Sequence, residues 1–238
     1  MNRRFTAAIV LIALAGAVAA ASSGCCPILA SSDRQTAGTG AEAPTGEAIS
    51  LEEFLDADTK TGEYTSTRTD GESGDSFSTK GEFWVDGRLF RYDLYEGGKL
   101  VRSILSPDGV TAYFAQHDTQ VCEPSVASVD YYLAEYSQPG EDGTEDGVDE
   151  ESGATRVVFT LKKTDTMAGA ANAWYVEDIT YLAKDGIVIG VISRGTVPKD
   201  DGSIGPLDTM RKMFSNVRVG APIPPETFEL PYPIQASE

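Results

Sequence analysis

Residues 80–116, KGEFWVDGRLFRYDLYEGGKLVRSILSPDGVTAYFAQ, contain most of the information from which the fold can be predicted. Three evenly spaced turn signals interrupt this stretch: Asp86-Gly87, Gly97-Gly98 and Pro107-Asp108-Gly109. Glycine at such positions supplies the positive φ that tight hairpin turns require. Between the turns, apolar residues alternate with polar ones, which is the period of a strand with one buried face. The stretch therefore predicts an antiparallel up-and-down meander.

The alternation divides the residues of this meander between two faces. Arg91 and Asp93 fall on a polar face, opposite the apolar one. The apolar face comprises, in chain order, Phe83, Phe90, Tyr92, Leu94, Val110, Ala112 and Phe114.

Three further strand segments are predicted in the C-terminal half. The alternation resumes at 157–162, and the stretch 174–183 turns at Asp185-Gly186 into 187–194. Residues 187–193, IVIGVIS, are apolar on both faces, as expected of a strand that is covered on both sides. Gly190 within this run indicates a bend or a bulge.

A few segments have a helical period instead. In PSVASVDYYLAEYS, residues 124–137, four apolar side chains recur at helical spacing and Ser125 is the candidate N-cap. Residues 51–57 predict a short helix capped by Ser50, and residues 207–213 a third. The four helically spaced residues are Val126, Val129, Leu133 and Tyr136. A large sheet with two or three helices predicts an α+β domain with its helices on one face.

Residues 137–154, SQPGEDGTEDGVDEESGA, form an acidic insertion between these parts. Its residues from Asp142 to Gly147 partly resemble the start of an EF-hand calcium loop. The twelfth position of that loop would be Gly153 rather than the bidentate Glu that such loops require. A solvated, disordered acidic loop is the favoured interpretation.

The N-terminus has the features of an export signal. Arg3 and Arg4 precede an apolar stretch that ends in small residues, as in a secretory signal peptide. A membrane-spanning helix is the poorer interpretation, because the stretch is rich in weakly apolar alanine and ends in Ser-Ser-Gly-Cys-Cys-Pro. Ser22-Ser23-Gly24-Cys25 resembles the lipobox of bacterial lipoproteins, and this resemblance implies cleavage after Gly24 and a lipid on Cys25. Ordinary cleavage near Ala19–Ala21 is the alternative.

These features divide the chain into three parts. Residues 1–24 are predicted as a lipoprotein signal peptide, residues 25–50 as a flexible tether rich in small residues, and residues 51–238 as one domain. The protein is therefore expected outside the cytoplasm, anchored to the bacterial cell membrane through Cys25. With 19 basic and 37 acidic residues, a net charge of −18 argues against nucleic acid and anionic lipid surfaces as partners. We expect a monomer.

The sequence predicts no active site. His117 is the sole histidine, so a histidine-rich metal cluster cannot form, and its position after a strand suggests a solvated turn residue. Cys122 has Glu123 beside it, which disfavours a reactive thiolate. No nucleophile elbow, phosphate-binding glycine loop or Cys-x-x-Cys motif is present. We expect neither enzymatic activity nor a cofactor.

The chain resembles the LolA/LolB-type lipoprotein carriers and their lipid-anchored mycobacterial relatives. The resemblance rests on GEFWVDGRLFRYDLYEGGKLVRSILSPDGVTAYFA, residues 81–115, and on FSNVRVGAPIPPETFELP, residues 214–231. In the first block, the features shared with the family are a strand that ends near Trp84-Val85 and a strand that contains Arg91-Tyr92. In the second block, the shared features are a strand, a proline turn and Phe228. The acidic insertion and Gly220, where the family often has Asn, depart from the family pattern.

This resemblance implies an unclosed, strongly curved antiparallel β half-barrel with helices covering its concave face. Carriers of this kind hold acyl chains in an apolar cavity, whereas sensor relatives keep the fold with a filled core. Both interpretations remain open, because protein interiors are normally close-packed. The candidate cavity-lining residues are Phe83, Phe90, Tyr92, Leu94, Phe114, Val126, Val129, Leu133 and Tyr136.

Overall fold

The computed structural model describes residues 48–125, 127–137, 143–160, 175–196 and 205–235. The signal peptide, Cys25, most of the tether and Val126 lie outside these residues. Within them the chain forms two short α-helices, α1 (Leu51–Asp56) and α2 (Val129–Leu133), and a 3₁₀ turn at Pro225–Phe228. No described helix is long and apolar enough to cross a membrane. The strands are β1 (Thr59–Thr69), β2 (Ser76–Asp86), β3 (Leu89–Glu96), β4 (Lys99–Ser106), β5 (Tyr113–Gln116), β6 (Val121–Pro124), β7 (Thr144–Val148), β8 (Thr155–Thr160), β9 (Tyr175–Lys184), β10 (Ile187–Thr196) and β11 (Asp208–Val219).

The described strands form one antiparallel sheet in the order β6-β5-β4-β3-β2-β1-β11-β10-β9-β8-β7. Strands β6 and β7 lie at its two opposite edges, so the sheet is unclosed. The half of the sheet that runs from β6 to β1 contains the predicted meander. Strand β11, the last strand of the chain, lies between β1 and β10 and pairs with both. The sheet dominates the described residues, and the helices are shorter than an α+β domain of this size led us to expect.

The predicted turns are confirmed. Gly87 has a φ of 56° between β2 and β3, and Gly97 and Gly98 have φ values of 56° and 79° between β3 and β4. Asp185 and Gly186, between β9 and β10, also have positive φ values, of 52° and 80°. These are the conformations that glycine adopts at least cost.

Gly190 lies next to a bulge, as its place in an otherwise apolar strand indicates. The register between β10 and β9 shifts between Val188 and Gly190. A Cβ atom on Gly190 would lie 2.4 Å from the carbonyl oxygen of Lys212. The glycine therefore allows β10 and β11 to approach closely beside Lys212.

The first helix is confirmed together with its cap. The Ser50 side chain accepts a hydrogen bond from the amide of Glu53, and the Glu53 carboxylate accepts one from the amide of Ser50 (2.9 Å). This is a capping box, which satisfies two backbone donors at the start of the helix. Phe54 on the following turn is fully buried.

The second helix is shorter than the spacing predicts, and Ser125 is not its N-cap. The Ser125 amide donates to the carbonyl of Ala112 (2.7 Å), which keeps this residue beside the end of β6. The helix instead starts at Val129, where the Ser128 side chain accepts from the amide of Tyr131 (3.3 Å). A hydrogen bond to Ala112, the residue before β5, has overridden the local helical pattern.

The prediction of a third helix at 207–213 is wrong, because residues 208–213 are the first part of β11. This strand pairs with β1 on one side and with β10 on the other. Neighbours on both sides supply more hydrogen bonds than one helical turn would, so tertiary pairing decides the conformation.

The prediction of a disordered acidic loop is wrong over residues 143–154. Residues 144–148 form β7, which pairs with β8, and the next turn is held by Asp149. Asp149 accepts two hydrogen bonds from Arg211, at 2.8 and 2.7 Å. Asp142 of the EF-hand alternative lies outside the described residues. Within the described residues no group of three or more acidic, histidine or cysteine side chains could hold a metal ion.

The polar face of the meander is covered rather than open. Asp93 is 4% exposed, and a second buried cluster lies on this side of the sheet. The C-terminal segment covers it by pairing with the β6 edge, where the Cys122 amide donates to the carbonyl of Pro233 (3.0 Å). The members of the second cluster are Leu105, Ala115 and Cys122, with Tyr113, Leu230 and Tyr232 packed against them.

Candidate functional site

Six of the nine candidate cavity residues lie together in the main buried cluster of the domain. Leu94 and Phe114 are half-buried and are not members of that cluster, and Val126 lies outside the described residues. The six are Phe83, Phe90, Tyr92, Val129, Leu133 and Tyr136, each 7% exposed or less.

Tyr136 lies at the centre of this cluster. Its ring centroid is 4.9 Å from that of Phe83 and 5.1 Å from that of Tyr92. It is 6.1 Å from the ring of Phe214 and 6.4 Å from that of Phe54. These are the separations of packed aromatic pairs. The rings therefore occupy the interior around Tyr136.

Several residues of the interior were missed by the sequence analysis. Lys212 belongs to a segment that we predicted as helical, and Phe214 follows directly after that segment. Reading that segment with a period of two places them on the same face of β11, next to Tyr64 and Ser66 on β1. The other missed members of the cluster include Ile49, Phe54, Ile179, Tyr181, Val188 and Val191.

A buried ion pair lies among these rings. The Lys212 ammonium group donates to the carboxylate of Glu135, and each side chain is 12% exposed. The Ser193 hydroxyl donates to the same carboxylate (2.6 Å). Lys212 Nζ also lies 5.4 Å from the ring centroids of Tyr64 and Tyr136, within cation–π range.

The surroundings keep this lysine charged. Burial by itself lowers the pKa of Lys212, but Glu135 and Tyr64 outweigh it, so the pKa lies above its ordinary value. Burial raises the pKa of Tyr136 well above its ordinary value, so that hydroxyl stays protonated. The Tyr136 hydroxyl is buried and has no hydrogen-bond partner among the described residues. The interior thus contains a protonated amine and an unsatisfied hydroxyl donor.

The residues around α2, numbers 128–137, are joined to the sheet by a small set of polar contacts. We call them the α2 segment. The Tyr92 hydroxyl donates to the carbonyl of Tyr132 (2.8 Å), and the Tyr181 hydroxyl donates to that of Ser137 (3.3 Å). At the surface, Arg88 pairs with Asp130 (2.6 Å), where both side chains are more than half exposed. The ion pair of Lys212 is therefore much less exposed than the ion pair of Asp130.

His117 does not act as a solvated turn residue. The Ser103 hydroxyl donates to Asp93 Oδ1 (2.6 Å) and lies 2.8 Å from His117 Nε2. Because its one proton is used, Ser103 accepts from Nε2–H, and His117 Nδ1 accepts from the Tyr232 hydroxyl (2.8 Å). Burial lowers the pKa of His117, although the charge of Asp93 opposes this. The network attaches the C-terminal segment to the sheet.

This network contains a serine and a histidine but lacks the geometry of nucleophilic catalysis. Ser103 is 0% exposed, so a substrate cannot reach its hydroxyl. In a catalytic triad the carboxylate accepts a hydrogen bond from the histidine and orients it, whereas here Asp93 accepts a hydrogen bond from the serine. Burial also raises the pKa of the Cys122 thiol, which disfavours the reactive thiolate.

No protein-family profile and no curated protein sequence matches this chain. Solved structures are similar at low identity. A LolA superfamily protein from Nitrosomonas europaea is 7% identical with a TM-score of 0.39, over 75% of this chain and 95% of that one. A DUF1329 family protein from Desulfovibrio piger is 10% identical with a TM-score of 0.38, over 75% and 92%. A putative outer membrane lipoprotein-sorting protein domain from Vibrio parahaemolyticus is 6% identical with a TM-score of 0.36, over 71% and 88%. The family that the sequence resembles is therefore among the structural neighbours of this chain, at low similarity.

Proposed function

We propose that this protein is a lipoprotein of the bacterial cell envelope that binds a lipid or acyl chain between the α2 segment and the sheet. The observation that carries the proposal is the construction of the interior. One segment inserts Leu133 and Tyr136 among aromatic rings of the sheet, and polar contacts to side chains of β3, β9, β10 and β11 hold it there. A ligand that displaces this segment would meet a ready-made apolar surface.

The distribution of buried residues supports a curved sheet with a concave face. Strands β3 and β9 are five positions apart, and a flat sheet would hold them about 24 Å apart. Yet Tyr92 on β3 and Tyr181 on β9 share one buried cluster, connected by Tyr136 and Phe54. We propose that α1 and the α2 segment occupy the concave face of a half-barrel, the arrangement expected from the sequence.

The α2 segment is suited to move as a cover. Its helix has five residues, and a helix of this length has little stability of its own in water. Its position therefore depends on contacts with the sheet, which a ligand can replace. Displacing it would expose Phe83, Phe90 and Tyr92, all of which are aromatic and suited to contact an acyl chain.

A second candidate function is a non-carrying interaction or sensor domain of the same fold with a filled core. The close ring contacts of Tyr136 favour it, because they leave the centre of the interior occupied by the protein itself. For both candidates we propose a non-enzymatic monomer outside the cytoplasm.

Replacing Leu133 with Trp separates the two candidates. In a carrier, the indole enters space that the ligand uses, so retention of lipid falls and the free energy of unfolding changes little. In a filled core, the same change overpacks the interior and costs about 1–3 kcal/mol. Native mass spectrometry of the gently purified protein would measure lipid, and chemical denaturation would measure stability.

The matched control is Val110→Trp, because Val110 is 77% exposed. We expect this variant to keep the parent's lipid content and stability. A parent protein without bound lipid, together with a large loss of stability in the Leu133 variant, would remove the carrier proposal and leave the filled core.

The membrane anchor has its own test. Replacing Cys25 with Ala should release the protein from the membrane fraction, because the lipid that the lipobox implies would have no thiol to join. Metabolic labelling with a radioactive fatty acid would follow the modification. Cys26→Ala is the matched control and should stay bound and labelled. Unchanged labelling of the Cys25 variant would show that the anchor is elsewhere.

A further inference from the structure

The buried ion pair between Lys212 and Glu135 is not explained by stability. A buried pair of charges gains little over apolar residues of similar volume, since desolvation offsets most of the attraction. The Lys212 ammonium group lies 5.4 Å from the ring centroids of Tyr64 and Tyr136, so much of its surroundings is aromatic. Its partners also belong to different parts of the fold, since Lys212 is on the sheet and Glu135 is on the α2 segment.

The groups around the Glu135 carboxylate form an arrangement that suits a carboxylate from any source. The Lys212 ammonium and the Ser193 hydroxyl both donate to it. A third donor, the Tyr136 hydroxyl, is buried in the same region and has no partner among the described residues. Unsatisfied buried donors are rare and costly, so an additional acceptor is expected there in another state of the protein.

We propose that Lys212 is the headgroup site of this protein: it binds the anionic group of an acyl chain, such as the carboxylate of a long-chain fatty acid, in place of Glu135. The inference rests on the proposed carrier function and names the class of its ligand. In the ligand-free form, the Glu135 carboxylate occupies the position of the ligand's own carboxylate. The acyl chain then lies against the aromatic residues that the α2 segment covers, with Phe83 and Tyr92 nearest to Tyr136.

The exchange also explains why an acidic protein would accept an anionic ligand. The net charge of −18 disfavours anions at long range, so selectivity must come from a local cation in a region from which water is largely excluded. Lys212 meets this requirement, since its side chain is 12% exposed. Releasing Glu135 to solvent as the ligand binds would keep the charge of the interior balanced.

The test is a binding competition on the exported chain carrying Cys25→Ala, with the uncharged fluorophore 1-N-phenylnaphthylamine as reporter. Myristate should displace the reporter about tenfold to a hundredfold more effectively than methyl myristate, the typical effect of a buried charge-assisted hydrogen bond. Acetate, which carries the anion without the chain, should have no effect. If acetate displaced the reporter, the proposal would be overturned, because the site would then bind anions that have no acyl chain.

Lys212→Met should remove the preference for myristate while methyl myristate still binds, and Lys212→Arg should keep it. If Lys212→Met fails to fold because Glu135 is left unpaired, the double variant Lys212→Met with Glu135→Gln makes the same test without a buried charge. Lys60→Met is the matched control. Lys60 is a second buried lysine, 5.7 Å from the Phe54 ring, and its ammonium donates to the Ala57 carbonyl.

The outcomes distinguish this inference from the proposed function. Equal binding of myristate and methyl myristate by the parent would overturn the headgroup site and leave the carrier in place. Binding of neither compound would overturn the carrier and the headgroup site with it. If the preference for myristate over methyl myristate persists in Lys212→Met, or is lost equally in Lys60→Met, Lys212 does not bind the headgroup.

Discussion

Replacing Phe54 with alanine is expected to lower the free energy of unfolding by about 3–5 kcal/mol. Phe54 is 0% exposed and is the buried residue of α1. Its ring lies 5.5 Å from that of Phe214 and 6.4 Å from those of Tyr136 and Tyr181. Truncation leaves a cavity between the helix and the sheet that these rings cannot fill without moving. Urea denaturation of the variant and the parent would measure the loss.

Phe77→Ala is the matched control, because Phe77 is 39% exposed on β2. We expect that variant to stay within about 1 kcal/mol of the parent. Equal losses in the two variants would mean that the ring of Phe54 is not a central contact of the interior.

Replacing Asp149 with Asn is expected to cost about 3 kcal/mol at neutral pH, because it leaves the Arg211 guanidinium buried without its main partner. The side chains of Arg211 and Asp149 are 15% and 11% exposed. Glu151 lies 3.3 Å from Arg211 but is 77% exposed, so it compensates only in part. The same change weakens the turn after β7, where Asp149 accepts from the amide of Ser152 (2.8 Å).

The difference in stability between the parent and Asp149→Asn is expected to depend on pH. The Arg211 side chain, by its hydrogen bonds, holds the pKa of Asp149 well below its usual range. A lowered pKa contributes stability that is fully present above the unfolded value of about 4 and is lost as the pH falls below it. The parent should therefore lose more stability than Asp149→Asn between about pH 5 and pH 2, so that the two curves converge in acid. Denaturation at several pH values would test this.

Asp130→Asn is the control for this pair, because it removes an ion pair with Arg88 in which both side chains are more than half exposed. We expect a loss of at most about 1 kcal/mol, the usual value for a surface pair. A comparably small loss in Asp149→Asn, with parallel pH curves, would contradict a buried structural role for Arg211.

Local chemistry was enough to predict the regular parts of this fold. Glycine turns at Gly87, Gly97 and Gly186 need a positive φ that few other residues adopt, so their places in the chain marked the hairpins. The cap of α1 was predictable for a similar reason, since Ser50 and Glu53 satisfy the backbone donors of their own helix. Alternation placed Phe83, Phe90 and Tyr92 on one buried face.

The sequence by itself thus determined the turns, the period of the strands, the first helix and six of the residues that face the interior. Only the tertiary structure decided where distant segments meet. Arg211 orders the hairpin that begins at β7 by binding Asp149, and pairing with β1 and β10 makes a strand of β11. The same pairing places Lys212 opposite Glu135. The physical reason is the distance along the chain over which each interaction acts. The hydrogen bonds of turns and caps form between residues a few positions apart, whereas a buried charge needs a partner from a distant segment that only folding brings close.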